Sequence, residues 1–152
     1  MSDPFELQRF VTAQDASRTY DRALAELRSG RKQTHWMWFV FPQLAGLGRS
    51  AMARRFAIRS LDEARAYLAH PLLGARLREA ARALLDAPAG LTARQILSDV
   101  DAMKLRSSMT LFIQAAPEEP LFQQVIDRFC GGVPDEATDR LLRQSSEIRS
   151  TL

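Results

Sequence analysis

Two segments of the chain concentrate side chains able to do chemistry. The first runs from Lys32 to Ser50 and carries Lys32, His35, Trp36, Trp38, Gln43, Gly46, Gly48, Arg49 and Ser50. Both tryptophans of the chain and one of its two histidines lie in it. An imidazole or indole N–H among aromatic rings needs a partner, and such groups suit a pocket wall against which a flat ligand stacks. Gln43, just past Pro42, could read the edge of a base or nicotinamide with its amide. Gly46 and Gly48 supply permissive backbone, while Arg49 and Ser50 stand where the next helix is expected to start. Unpaired N–H groups at such a start favour an anion. The stretch is not a Walker loop, because the Gly-Lys-Ser/Thr ending is missing. A plainer reading stands beside this one: Met37, Val40 and Phe41 read as a buried core helix, and the glycines as a turn that needs positive φ.

The second segment is Asp101 to Phe112. Asp101, Lys104 and Ser108 fall at i, i+3 and i+7, which is one face of a helix, with Ser107 beside them. Leu105, Met109 and Phe112 make an apolar face. A partly buried Lys beside an Asp can act as a general base or as a point charge for a phosphate. His35, Lys104 and Asp101 are therefore the candidate catalytic groups. Lys32, Trp36, Trp38, Gln43, Gly46, Gly48, Arg49, Ser50, Ser107 and Ser108 are the candidate ligand contacts. The plainer reading has Asp101 as a helix cap in a surface pair with Lys104, which contributes little. Lys-x-x-Ser reverses the order of an acyl-transfer Ser-x-x-Lys. The two histidines are far apart and the acids scattered, so neither a triad nor a metal ligand set is read, and no cofactor is expected. His70, before Pro71, reads as structural.

These segments sit in an ordinary globular composition. The chain has 152 residues, 46% hydrophobic and 26% charged, with a net charge of +3. That length suits one domain with a real core. Apolar runs fall far short of the ~20 residues of a membrane span. The opening Met1 to Glu6 is acidic and lacks an apolar h-region, so no secretion signal is expected. A single cysteine, Cys130, excludes an internal disulfide and a cysteine zinc site, and fits a cytoplasmic protein. Nineteen of the 21 basic residues are Arg, leaving Lys32 and Lys104 as the only lysines. Both fall in the two chemically unusual segments.

The elements that must position these groups read as helices. Asp3, Pro4 and Glu6 form a capping box for a first helix holding Phe5, Phe10, Val11 and Gln14. A second helix is expected over about 17–29, stopped by Gly30. Ser50 caps a short helix over 51–58, and Ser60 to Glu63 is a capping box for another. An apolar stripe of Leu73, Leu77, Ala80, Ala81, Leu84 and Leu85 follows His70-Pro71. Thr92 to Gln95 is a further box, Asp99 or Asp101 begins a helix to about 116, and Leu121 to Phe129 stops at Gly131-Gly132. Asp135 caps the last helix. No stretch alternates long enough for a strand. The expected fold is all-α, a compact single-domain array of about eight short helices rather than a four-helix bundle. The domain is expected over residues 1–145, with 146–152 a flexible polar tail.

The same segments resemble a known family. Asp3-Pro4-Phe5-x-Leu7-x-Arg9-Phe10, then Lys32-x-x-His35-Trp36-Met37-Trp38-Phe39-x-Phe41-Pro42-Gln43 with Gly46-Leu47-Gly48-x-Ser50, then Asp101-x-x-Lys104-Leu105-x-Ser107-Ser108-Met109-Thr110-Leu111-Phe112 carry the resemblance. They are similar to the bacterial domain-of-unknown-function family numbered 1810, some of whose members are labelled "calpastatin". The resemblance extends to Gly131-Gly132-x-x-Asp135-x-x-Thr138. It implies a small, single-domain, helical cytoplasmic protein without an established activity. The label finds no support, since calpain inhibitors are long and disordered while this chain is rich in core residues.

Three functional readings follow. The first is a pocket for a phosphorylated or nucleotide-like small molecule, leaving open whether the protein is an enzyme. The second is an interaction module whose polar motifs are structural and which exposes an apolar patch. The third is nucleic-acid binding through Arg49, Arg54, Arg55, Arg59, Arg65, Arg76, Arg78 and Arg82, set against Asp62, Glu63 and Glu79. The arginine bias inflates it and no helix-turn-helix signature is clear, so it ranks last. No membrane partner is expected, and the oligomeric state is unassigned.

Overall fold

A computed structural model describes residues 2–151, with side chains described as far as Ser146. Among them the chain forms ten α-helices and one 3-10 turn (Ala16–Arg18): α1 (Gln8–Asp15), α2 (Thr19–Ser29), α3 (Met37–Val40), α4 (Ala51–Arg55), α5 (Leu61–Ala69), α6 (Leu73–Leu85), α7 (Ala93–Leu97), α8 (Asp99–Ala115), α9 (Leu121–Phe129) and α10 (Glu136–Thr151). The fold is all-α. The sole β feature among the described residues is an isolated parallel bridge between Leu44 and Ile58. Among the described residues no helix is long and apolar enough to cross a membrane. The expected tail at 146–152 lies at the edge of this description: α10 carries the backbone helical to Thr151, while Leu152 and the side chains from Glu147 onward lie outside the described residues.

Local capping explains most helix boundaries. Thr92 and Gln95 form a complete capping box, each side chain satisfying the other's backbone N–H at 3.1 and 2.8 Å. Asp135 accepts the Thr138 N–H at 2.9 Å, and Gly30 ends α2 in the left-handed region. His70 is structural as expected: its Nδ1 accepts the N–H groups of Leu72 and Leu73 at the start of α6.

Three expectations need correction. The first helix begins at Gln8 rather than near Pro4, because Glu6 takes a φ of 54° and its carbonyl turns to the Arg9 guanidinium. Asp3 still caps, accepting from Leu7 and Gln8. The second helix starts at Thr19, since Ser17 and Arg18 both adopt left-handed backbone. The Ser60 box is half a box. Ser60 accepts the Glu63 N–H, but the Glu63 carboxylate, fully buried, turns inward to Arg9 at 2.8 Å and Arg59 at 3.3 Å. Held by two guanidiniums and by the Arg59 backbone N–H at 3.2 Å, the carboxylate has no reach left for the Ser60 N–H.

Packing centres on α8, which touches α5, α7, α9 and α10, while α6 closes the other side against α2, α5 and α9. A chain of rings crosses the core: Phe39 on Phe56, Phe56 on Phe10, Phe10 edge-on to Tyr67 at 5.1 Å, Tyr67 on Phe112 and Phe112 on Phe122. This ladder joins α1, α3, α5, α8 and α9, and the short aromatic helix α3 is tied into it at one end through Phe39.

Where α5 meets α6 the backbones touch. A Cβ on Gly74 would stand 2.2 Å from the Leu68 carbonyl oxygen, which belongs to backbone and cannot step aside. Gly74→Ala is expected to cost about 3 kcal/mol by overpacking. Gly90→Ala, where a Cβ meets nothing within 4 Å, is expected to stay within about 0.5 kcal/mol of the parent. Chemical denaturation of the two variants side by side checks this; equal stabilities would contradict the packing at α5–α6.

Candidate functional site

The site is assembled from the loop between α2 and α3. Glu26, one turn from the end of α2, is buried, and its carboxylate accepts four hydrogen bonds from that loop and the residue beyond it. Gln33 N–H donates at 2.7 Å, Thr34 N–H at 3.0 Å, the Thr34 hydroxyl at 2.6 Å and the Trp36 indole N–H at 2.9 Å. The Lys32 N–H donates to the Ile96 carbonyl at 2.7 Å, which ties the same loop to α7. Trp36 is thereby sealed in the core with its one polar atom satisfied. Burial alone would push the Glu26 carboxyl up. The Thr34 hydroxyl, the Gln33 and Thr34 N–H groups and the Trp36 indole outweigh it and hold the group at about 2.

This folding delivers the first lysine to α8. Lys32 Nζ lies 2.9 Å from Asp101 Oδ2, and Lys104 Nζ lies 3.5 Å from Asp101 Oδ1. Each ammonium also faces an indole: Lys32 is 5.1 Å from the Trp36 ring centre and Lys104 is 4.9 Å from that of Trp38. The side chains are 9%, 16% and 22% exposed for Lys32, Asp101 and Lys104. They are dry enough for charge to matter and open enough to be reached. Two cations share one carboxylate, so the cluster carries one positive charge in excess. Each ammonium has three donors, more than Asp101 can take up. Aromatic faces beside the cations add cation–π attraction.

The start of α8 is strained where it holds Asp101. Ser98 sits at φ 88° and ψ 168°, a region that side-chain-bearing residues rarely occupy, and it joins the last turn of α7 to the first of α8. Asp101 is thus not the cap of its helix. It lies in the first turn, with its carboxylate turned to the lysines. Ser108, further along the Asp101–Lys104 face, is fully buried, and its hydroxyl has no hydrogen-bond partner among the described residues. Such an orphan calls for an explanation in a ligand or an ordered water. The Ser107 hydroxyl, by contrast, is satisfied by the Met103 carbonyl at 3.2 Å.

The remaining candidates lie elsewhere. His35 is exposed, and its ring makes no hydrogen bond among the described residues. Gln43, Gly46 and Gly48 line a recess of about 150 Å³ together with Leu44, Arg54 and Arg59, to which none of the lysine cluster contributes. Arg49 and Ser50 are exposed, and the Ser50 hydroxyl is taken up by the Ala53 N–H at 3.1 Å as the cap of a five-residue helix. Of the arginines weighed for nucleic acid, Arg59, Arg65, Arg76 and Arg78 each pair with an acid. Sequence reasoning missed Glu26. Its only signal was a carboxylate abutting the apolar stripe of α2 just before a helix stop.

Comparison with known proteins gives a family and a fold. A family model described as "Protein of unknown function (DUF1810)" matches residues 4–142. The chain is similar to the crystal structure of a conserved hypothetical protein, Rv1873, from Mycobacterium tuberculosis. The two share 47% identity over 93% of this chain and 99% of that one, with a TM-score of 0.89. No curated protein matches the chain.

Two predictions follow from the loop and the strained junction. The Glu26 carboxyl titrates near 4.5 in the unfolded chain and at about 2 when folded. Its stabilisation is therefore complete above pH 4.5 and drains away as pH falls towards 2. Glu26→Gln is expected to lose about 3 kcal/mol at pH 7 and to show a flatter stability profile than the parent between pH 4.5 and 2. Parallel profiles would contradict the account. Ser98→Gly should gain about 1 kcal/mol by releasing strain, read as a higher melting temperature; a lower one would show that the Ser98 backbone is relaxed.

Proposed function

The chain belongs to the DUF1810 family of proteins of unknown function, and on that premise we propose that it binds a phosphorylated or nucleotide-like small molecule at the Lys32–Asp101–Lys104 cluster. One observation carries the reading: two ammonium groups lie within 3.5 Å of a single carboxylate. An arrangement whose purpose was an ion pair would need one lysine. The second leaves unmatched positive charge at a partly open position beside an indole, which suits an anion attached to a flat or apolar body.

The residues divide the work by burial. Lys32, the less exposed lysine, holds Asp101 in place from the Glu26 loop. Lys104, more exposed and at the longer distance, turns its donors to the anion. The uncovered part of the half-buried Trp38 ring takes the flat portion of the ligand. The Ser108 hydroxyl, one turn further along the same face of α8 and unpartnered among the described residues, offers a further donor or acceptor. Lys104 and Asp101 are the groups there able to move a proton, so the site has the parts for acid–base chemistry on what it binds.

A second reading, an interaction module, is favoured by one feature. Val100 and Met103, on the first two turns of α8, are 63% and 72% exposed. Large apolar side chains in such a position suit contact with another protein.

A thermal-shift screen with nucleotides and sugar phosphates separates the two. A ligand at a hundred times its Kd stabilises by about 2.7 kcal/mol, or roughly 5–10 °C for a chain of this size. Lys104→Ala and Trp38→Ala should abolish that shift, and His35→Ala, outside the cluster, should leave it unchanged. If no compound shifts the parent and the variants melt alike in every buffer, the interaction module takes its place.

A further inference from the structure

The recess beside the 43–48 loop shares no residue with the lysine cluster, and the reading above leaves it unused. Its walls are pinned. Ala45 N–H donates to the Ile58 carbonyl at 2.7 Å and Ile58 N–H to the Gln43 carbonyl at 2.8 Å, which closes the loop onto the segment after α4. On the other side, Gly48 packs so close to α4 that a Cβ there would stand 2.4 Å from the Ala53 Cβ. A cavity with backbone walls of this kind is formed before any ligand arrives.

Its charge is one-sided. Arg54 and Arg59 line it, and no acid does among the described residues. Arg54 makes no ion pair among them. Arg59 reaches Glu63 at 3.3 Å, but Glu63 is already held by Arg9 at 2.8 Å, so two guanidiniums divide one buried carboxylate and one positive charge is left over. Gln43, half-buried at the recess, makes no side-chain hydrogen bond among the described residues and has an amide N–H2 to offer. Guanidinium groups present planar, paired donors that match an oxyanion better than an ammonium does. The volume fits too: about 150 Å³ is roughly five waters' share of liquid volume, and a tetrahedral oxyanion has about that many heavy atoms.

We infer that this recess is a second, independent site that binds a tetrahedral oxyanion, as free phosphate or as the phosphate of a small monoester, between Arg54, Arg59 and Gln43. The inference does not rest on the lysine cluster, and the two stand or fall apart.

The test titrates inorganic phosphate, and separately methyl phosphate, into the full chain at constant ionic strength set with chloride. Binding is followed by calorimetry and by the backbone amide signals of Gly46 and Gly48. Saturable shifts at both glycines are expected, weakened at least tenfold in Arg54→Ala and keeping the same affinity at those two amides in Lys104→Ala. Arg54 is exposed and its side chain makes no hydrogen bond or ion pair among the described residues, so its variant is expected to stay folded; Arg59→Lys, which keeps the charge facing Glu63, should weaken binding as well. Response to free phosphate alone assigns the ion, and response to both probes assigns the phosphate group of a larger ligand. Non-saturable response, equal affinity in Arg54→Ala, or loss in Lys104→Ala would overturn the inference. Nucleotide binding lost in Lys104→Ala and kept in Arg54→Ala would meanwhile leave the lysine-cluster reading intact.

Discussion

The buried carboxylate of Glu26 sets where the lysine cluster stands. The loop after α2 has no regular structure of its own, and its N–H groups must find acceptors if they are to leave water. Glu26 accepts from Gln33, Thr34 and Trp36, while Ile96 accepts from Lys32. With both ends of the loop held this way, Trp36 drops into the core and Lys32 meets α8 at Asp101. A charged group in the interior is costly unless it is fully hydrogen-bonded. The four bonds to Glu26 meet that requirement and account for its low pKa. The loop is folded around the carboxylate rather than against it.

Helix α8 then does two jobs at once. Leu105, Met109 and Phe112 bury one side in the ring ladder, while Asp101, Lys104 and Ser108 follow one another along an adjoining face. A helix held so firmly by the core gives its polar face little freedom, which suits a site that must be in place before a ligand arrives. The strained Ser98 backbone fits the same picture: the first turn of α8 is forced into position, and the core bears the strain. The recess at the 43–48 loop is built by different means, from a backbone bridge and a glycine–alanine contact, and its charge comes from arginine rather than lysine.

Much of this is legible in the sequence where the physics is local. The Thr92–Gln95 box, the Asp135 cap and the Gly30 stop are decided within four residues, and each stands where expected. The meeting of Lys32 with Asp101 is not local, since 69 positions separate them; the sequence could mark both as unusual, but could not join them. Glu26 is opaque for another reason, and Glu63 reads only as a capping-box acid. A carboxylate beside an apolar stripe reads as a solvated edge until its partners are known, and those of Glu63 include Arg9, 54 positions away. In the sequence Gln43, Gly46 and Gly48 group with the tryptophans because they follow them in the chain. After Pro42 the backbone turns away to pair with Ile58, so neighbours in sequence end up lining a different recess.

The chain holds only two lysines, and this makes the central claim unusually direct to test. An NMR spectrum of the lysine ammonium groups should contain two signals, one for Lys32 locked against Asp101 and one for Lys104. Titration with a nucleoside phosphate is predicted to move the Lys104 signal strongly and saturably while the Lys32 signal, held at the buried end of the cluster, moves less. Both signals standing still at ligand concentrations that shift other resonances would place the ligand elsewhere and contradict the account.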